Sequence, residues 1–179
     1  MRKRATAWTI TILIIILSTI ISGGSSLNKL RQETIDIFYL GEKMNGVGIQ
    51  HDLNMIMTNS VNLTVVAGRY LGQGHELIQK VLNARDALNK AETPGEKYDA
   101  AQELLSSVTE LYTYLGNMEL KEKDQNFRES LYAEINSHNI KISRSTYNQY
   151  ARKFNNLLNT FPANILSKVA FIRPVELYE

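Results

Sequence analysis

His75-Glu76-Leu77-Ile78-Gln79 is the stretch of this chain that comes nearest to a catalytic pattern. A zinc-hydrolase helix needs two histidines four residues apart, so that both imidazoles leave one face toward the metal while the glutamate acts as base. The position four residues on is Gln79, and the other histidines, His51 and His138, belong to distant segments. One ligand of the required pair is missing, so His75 is expected at a helix surface or interface. Gly68-Arg69-Tyr70-Leu71-Gly72-Gln73-Gly74 has three glycines, but not the GxGxxG spacing that cradles phosphate, and no strand is predicted before it. It reads as a close helix approach or a kink. Glu103 and Glu110 are seven residues apart on one predicted helix, a spacing that suits a solvated flank, since no other carboxylate is placed to move their pKa values. Tyr98, Tyr112, Tyr147 and Tyr150 fall on helical stripes and read as bundle core. No cysteine is present, which excludes disulfides, thiolate metal sites, cysteine nucleophiles and cysteine lipidation together. No nucleophile stands beside a base. The expectation is a protein that is not an enzyme, with no catalytic, metal or cofactor-binding residues and no cofactor.

The elements that carry these residues read as helices throughout. Leu27 to about Thr58 is a loose helical stretch interrupted by Gly41, Gly46 and Gly48, where interior glycines each cost about 1 kcal/mol relative to alanine. A break or kink is expected near 41–48. A second helix is expected from about Val61 to Lys90, with Leu77, Val81, Ala84 and Leu88 on one face. Thr93-Pro94-Gly95-Glu96 then carries a capping threonine, a proline at the first helical position and a glutamate three residues after the threonine, the signature of a capping box. The helix that follows has Tyr98, Ala101, Leu105, Val108, Tyr112 and Leu115 at spacings of three and four, widened by Leu104, Leu111 and Met118, as an antiparallel bundle seam requires. A fourth helix is expected from about Gln125 to Thr160, with Asp124 as its cap and a shift of apolar phase at Ile140 to Ser143. Alternating strand patterns are absent from the sequence.

Of twenty basic residues, Arg2, Lys3 and Arg4 are three, leaving seventeen against eighteen acidic ones. The basic character belongs to the N-terminal tip, and the remainder has no clustered Lys/Arg to serve as a nucleic-acid footprint. Nucleic acid is not an expected partner. Between Arg4 and Lys29 lie 24 uncharged residues, including Trp8, Ile10, Leu13, Ile16 and Ile21. As a helix they would extend about 36 Å, enough to cross a hydrocarbon core of about 30 Å. Residues 1–26 therefore read as a membrane anchor, with 27–179 as one helical domain. The alternative is a signal peptide cut near Ser22-Gly23-Gly24-Ser25, which would release a secreted or periplasmic binding module. Basic residues before the segment outnumber Lys29 and Arg31 after it, favouring the N-terminus inside and the bundle outside the cytoplasm.

Toward the C-terminus, Tyr147-Asn148, Phe154-Asn155, Phe161-Pro162-Ala163-Asn164, Phe171, Arg173-Pro174 and Tyr178-Glu179 occur in an order that resembles the C-terminal signature of the LemA family. Asn83 to Lys97 is similar to that family's alanine-rich helix end and threonine-proline turn, and Tyr70 with His75-Glu76 to a tyrosine and His-Glu in its second helix. The family's Leu-Ile-Pro-Asn-Leu stretch has no counterpart with a proline here; Asp52-Leu53 and Asn62-Leu63 are what stands in that region. The resemblance implies a single-pass bacterial membrane protein with an elongated antiparallel four-helix bundle and a short C-terminal helix. It also implies no established enzymatic activity, and partners among envelope proteins, including a membrane metalloprotease. A membrane-anchored adaptor or scaffold is the resulting expectation. Within the signature, Pro162 should end the long helix near Thr160 to Phe161, because it lacks an N–H and biases the preceding residue away from helix. Ala163 or Asn164 should then open a terminal helix whose Ile165, Val169 and Ile172 fold against the bundle, with Phe161 and Phe171 buried.

Overall fold

A computed structural model describes residues 2–179, with side chains from Trp8 onward. Among the described residues every regular element is helical: α1 (Arg2–Leu40), α2 (Ile49–Leu71), α3 (Glu76–Lys90), α4 (Pro94–Gly116), α5 (Glu122–Ser143), α6 (Tyr147–Leu157) and α7 (Ala163–Val169). The all-α class expected from the sequence is what forms. Two compact units can be distinguished: Ile37–Tyr147 with Glu176–Glu179, and the chain up to Asp36 with Asn148–Val175.

The first of these units is built on two antiparallel helix pairs, α2 with α5 and α3 with α4. On α2, Ile49, Leu53, Ile56, Ser60, Leu63 and Ala67 are buried at alternating spacings of four and three, a seam that keeps one side of the helix inward. On α4 the same alternation runs through Lys97, Ala101, Leu104, Val108, Leu111 and Leu115. The stripe expected there is thus rotated slightly: Leu104 and Leu111 form its centre, while Leu105 and Tyr112 are only half-buried. α4 starts where the sequence placed it. The Thr93 hydroxyl accepts from Glu96 N–H at 3.3 Å, and the Glu96 carboxylate accepts from Glu92 and Thr93 N–H at 2.9 and 3.2 Å.

Phe38, wholly buried at the end of α1, organises an aromatic core. Its ring meets Tyr147 edge-on at 5.2 Å and Tyr178 at 5.9 Å, and Tyr178 in turn meets Tyr98 at 5.3 Å. The Tyr147 hydroxyl donates to the Glu176 carbonyl at 2.5 Å, which satisfies the one polar atom this buried ring carries. Burial pushes the Tyr178 phenol up from its ordinary range.

Two predicted helices are each divided in two. The expected Val61–Lys90 helix is the later part of α2, which already starts at Ile49, followed by α3; the two are separated at Gly72, which adopts φ +80° and lets the chain leave α2 before His75 caps α3. The expected Gln125–Thr160 helix is α5 and α6, separated at Arg144 to Thr146, where the Ser145 hydroxyl accepts from Tyr147 N–H at 3.2 Å. The break falls directly after the shift of apolar phase. α5 itself begins earlier than expected, capped by Lys121 without a side-chain bond, and Asp124 lies inside its first turn.

In the other unit, α1 places Trp8, Ile10, Leu13, Ile16 and Ile21 among a run of exposed apolar side chains pointing in every direction around its axis. It is long and apolar enough to cross a membrane. Further along α1, Gly23 and Gly24 receive α7. A Cβ at Gly23 would fall 2.7 Å from Leu166 Cδ1, which a leucine rotamer could relieve, but one at Gly24 would fall 2.8 Å from Ala170 Cβ, which cannot turn aside, so α7 would have to move. α6 buries Ala151 and Phe154 and ends at Leu157, a turn earlier than expected; α7 opens at Ala163 behind Pro162.

The expected docking of the C-terminal aromatics does not occur. Phe161 is 79% exposed and Phe171 88% exposed, and Ile165 and Val169 are exposed as well. α7 instead turns Ala163 and Ser167 inward, with Leu166 and Ala170 on the glycines. The two glycines leave room on α1 for the face of α7 that carries Leu166 and Ala170.

Candidate functional site

A groove of about 1220 Å³ opens to solvent between α4 and α5 and reaches the start of α3. Gln102, Leu105, Thr109 and Thr113 line it from α4 at successive turns, and Tyr132, Ile135, Asn136 and Asn139 line it from α5. One helical period brings each set to a single face. At one end the walls are joined by a stack of Tyr112 on Tyr132, with ring centroids 3.9 Å apart and planes 9° from parallel. Arg128 lies over Tyr112 at 3.9 Å and donates through Nε to the Tyr112 carbonyl at 3.0 Å, and the Thr109 and Tyr132 hydroxyls are 3.2 Å apart. The walls are therefore fixed, and between them lie amides and hydroxyls over a partly apolar floor. Such a surface can donate and accept hydrogen bonds with an extended polypeptide and accept a few apolar side chains.

His75 stands at the α3 end of the groove. Its Nδ1 accepts from Leu77 N–H at 3.3 Å, capping α3, and its ring leans on Tyr114 at 5.6 Å. Gln79 donates to the Gln73 carbonyl at 2.9 Å. The His-Glu motif thus acts on the loop between α2 and α3. No group of three or more His, Asp or Glu converges among the described residues. Of the carboxylate pair, Glu110 binds Lys80 at 2.5 Å, holding the Lys80 ammonium above its ordinary pKa, while Glu103 is exposed.

Three polar contacts along α2 and α5 were not anticipated. Asp52 Oδ1 accepts from His138 Nδ1 at 2.7 Å, the Asn59 amide donates to Glu134 at 2.9 Å, and the buried Asp124 receives Arg69 and the Tyr70 hydroxyl, the latter at 2.6 Å. Tyr70 also accepts from Lys121 N–H at 3.0 Å. Tyr70 therefore holds the Asp124 carboxyl below the usual range, helped by Arg69, and Asp124 in return raises the Tyr70 phenol. These contacts join residues that are 51 to 86 positions apart. The available signal was a buried-register polar residue on each helix, without an indication of its mate.

The C-terminal signature residues divide by role. Asn155 clamps the tail, its Nδ2 donating to the Val175 carbonyl and its Oδ1 accepting from Val175 N–H, both at 2.8 Å. Phe154 is core, Tyr147 holds Glu176, and Pro162, joined to Phe161 by a cis peptide bond, precedes α7. Asn148 is half-buried, and Asn164 keeps its Oδ1 buried without a protein partner. Phe161, Phe171 and Pro174 face outward. A family model described as the LemA family matches residues 48–179. The chain belongs to the LemA family. That match includes α2 through α7 and the whole groove. No curated protein matches the chain. Among the signature residues of this LemA-family chain, those with a visible task secure the C-terminal tail rather than line the groove.

Proposed function

We propose that this LemA-family chain is a non-enzymatic adaptor or scaffold of the bacterial envelope, held in the membrane by α1, with its groove receiving a segment of a partner protein. The observation that carries the reading is α1, whose apolar side chains are exposed all around the helix. Such a surface has no place in water and matches the lipid interior. Gly23 and Gly24, where a signal peptidase would cut, lie inside the continuous helix with Leu166 and Ala170 against them, which supports retention of the anchor. The charge bias around α1 favours an extracytoplasmic bundle, so the partner belongs to that compartment, and a membrane metalloprotease is one partner the family suggests. A photo-crosslinking residue at Thr109 or Asn136 in the full chain tests the groove. Discrete adducts in native membranes are expected there and not from exposed Asp86 on α3; equal labelling from all three sites, or none, would remove the groove from the reading.

A further inference from the structure

We propose that α7 and the two phenylalanines that flank it form a second membrane contact, lying in the interface of the same bilayer that α1 crosses. The inference rests on α1 being an anchor. Its first support is depth. The uncharged run of α1 covers residues 5–28, and a hydrocarbon core of about 30 Å takes roughly twenty of them. Centred on that run, the core ends about 4 Å beyond Gly23 and Gly24 at a rise of 1.5 Å per residue. Leu166 and Ala170 rest on those glycines, which sets α7 at the boundary between acyl chains and headgroups. The chain then climbs away from it, because Arg31 Nε donates to the Arg173 carbonyl at 3.0 Å, seven residues and about 10 Å further along α1.

The second support is the surface presented at that depth. Phe161, Phe171, Ile165 and Val169 are all exposed, an arrangement that is unfavourable in water and suited to an interfacial helix, which buries its apolar side about 5–10 Å into the boundary region. The third is charge. Between Asn148 and Val175 there are four basic residues, Arg152, Lys153, Lys168 and Arg173, and no acidic one, which complements anionic headgroups. Lys168 and Arg173 adjoin the exposed apolar residues and are long enough to reach headgroup phosphates while their stems stay with the acyl boundary.

Trp8 is the single tryptophan of the chain, so it reports on the anchor by itself. The full chain is reconstituted into phosphatidylglycerol-containing vesicles with lipids brominated at shallow acyl positions. Wild type is compared with Phe171→Trp and Phe161→Trp, each combined with Trp8→Phe. Both phenylalanines are exposed, so neither replacement disturbs packing. Blue-shifted emission, strong quenching by bromolipid and several-fold protection from acrylamide are expected at both sites. If Trp8 is quenched by lipid while the tryptophans at 161 and 171 emit as in water and are quenched by acrylamide, the interfacial contact is overturned and the anchor stands. If Trp8 itself is unquenched by bromolipid, the anchor reading fails and the interfacial contact with it.

Discussion

Asn155→Ala removes both hydrogen bonds that hold Val175, while leaving its buried N–H and C=O in place. Each bond contributes about 1 kcal/mol net, and a backbone group left buried without a partner costs about 1–3 kcal/mol. The tail can avoid that second cost by leaving its site and hydrating, so its detachment becomes easier by at least the two lost bonds, about 2 kcal/mol. At about 1.4 kcal/mol per tenfold, amide hydrogen exchange in a peptide covering 172–175 should quicken roughly 30-fold, while α3 and α4 peptides keep their rates. Asn155→Asp is the informative companion. It retains an acceptor for Val175 N–H but sets an oxygen against the Val175 carbonyl, so it should restore only part of the protection. Unchanged exchange at the tail in Asn155→Ala would refute the clamp, and so would full restoration by Asn155→Asp.

Thr93→Ala removes the hydroxyl that accepts from Glu96 N–H and should lower stability by about 1 kcal/mol, measurable as a shift in the urea midpoint with unchanged slope. Acid should destabilise the bundle for two identified reasons. The Glu96 carboxylate is held low by the Glu92 and Thr93 amides and the Asp124 carboxylate by Tyr70 and Arg69, so both contributions are full above the ordinary carboxylate values near pH 4. They are lost as pH falls through the depressed folded-state values, and Glu96→Gln or Asp124→Asn should each flatten the acid limb of a plot of Tm against pH. Tyr70→Phe and Asp124→Asn should also couple in a double-mutant cycle, because one removes what the other binds; strict additivity of their midpoint shifts would separate the two residues.

Local rules accounted for what local chemistry controls. The Thr93 capping box forms as read, because cap and glutamate lie within one helical turn. The glycines at 41–48 do interrupt the chain between α1 and α2, with positive φ at Gly41 and Gly46. The break after Ser143 has no glycine or proline to announce it, and the change of apolar phase was its sole mark. Reading that change as continuous helix merged α5 with α6. Asp52, Asn59 and Asp124 were illegible for a different reason: their partners are chosen by helix pairing across long stretches of chain. Phe161 and Phe171 misled because apolar periodicity reports only that a residue avoids water, and burial within the protein was the assumed destination. The groove was legible in part, as half of an overly broad α4 stripe: Leu105 and Tyr112 were assigned to the seam and instead stand at the edge of it.

Retention of α1 in the mature protein is the claim on which the adaptor reading depends. Intact-mass and N-terminal analysis of the chain, recovered from cell membranes after alkaline carbonate washing, measures it directly. The account predicts a carbonate-resistant chain that still contains Trp8. A soluble or carbonate-released chain beginning near Ser25 would contradict it.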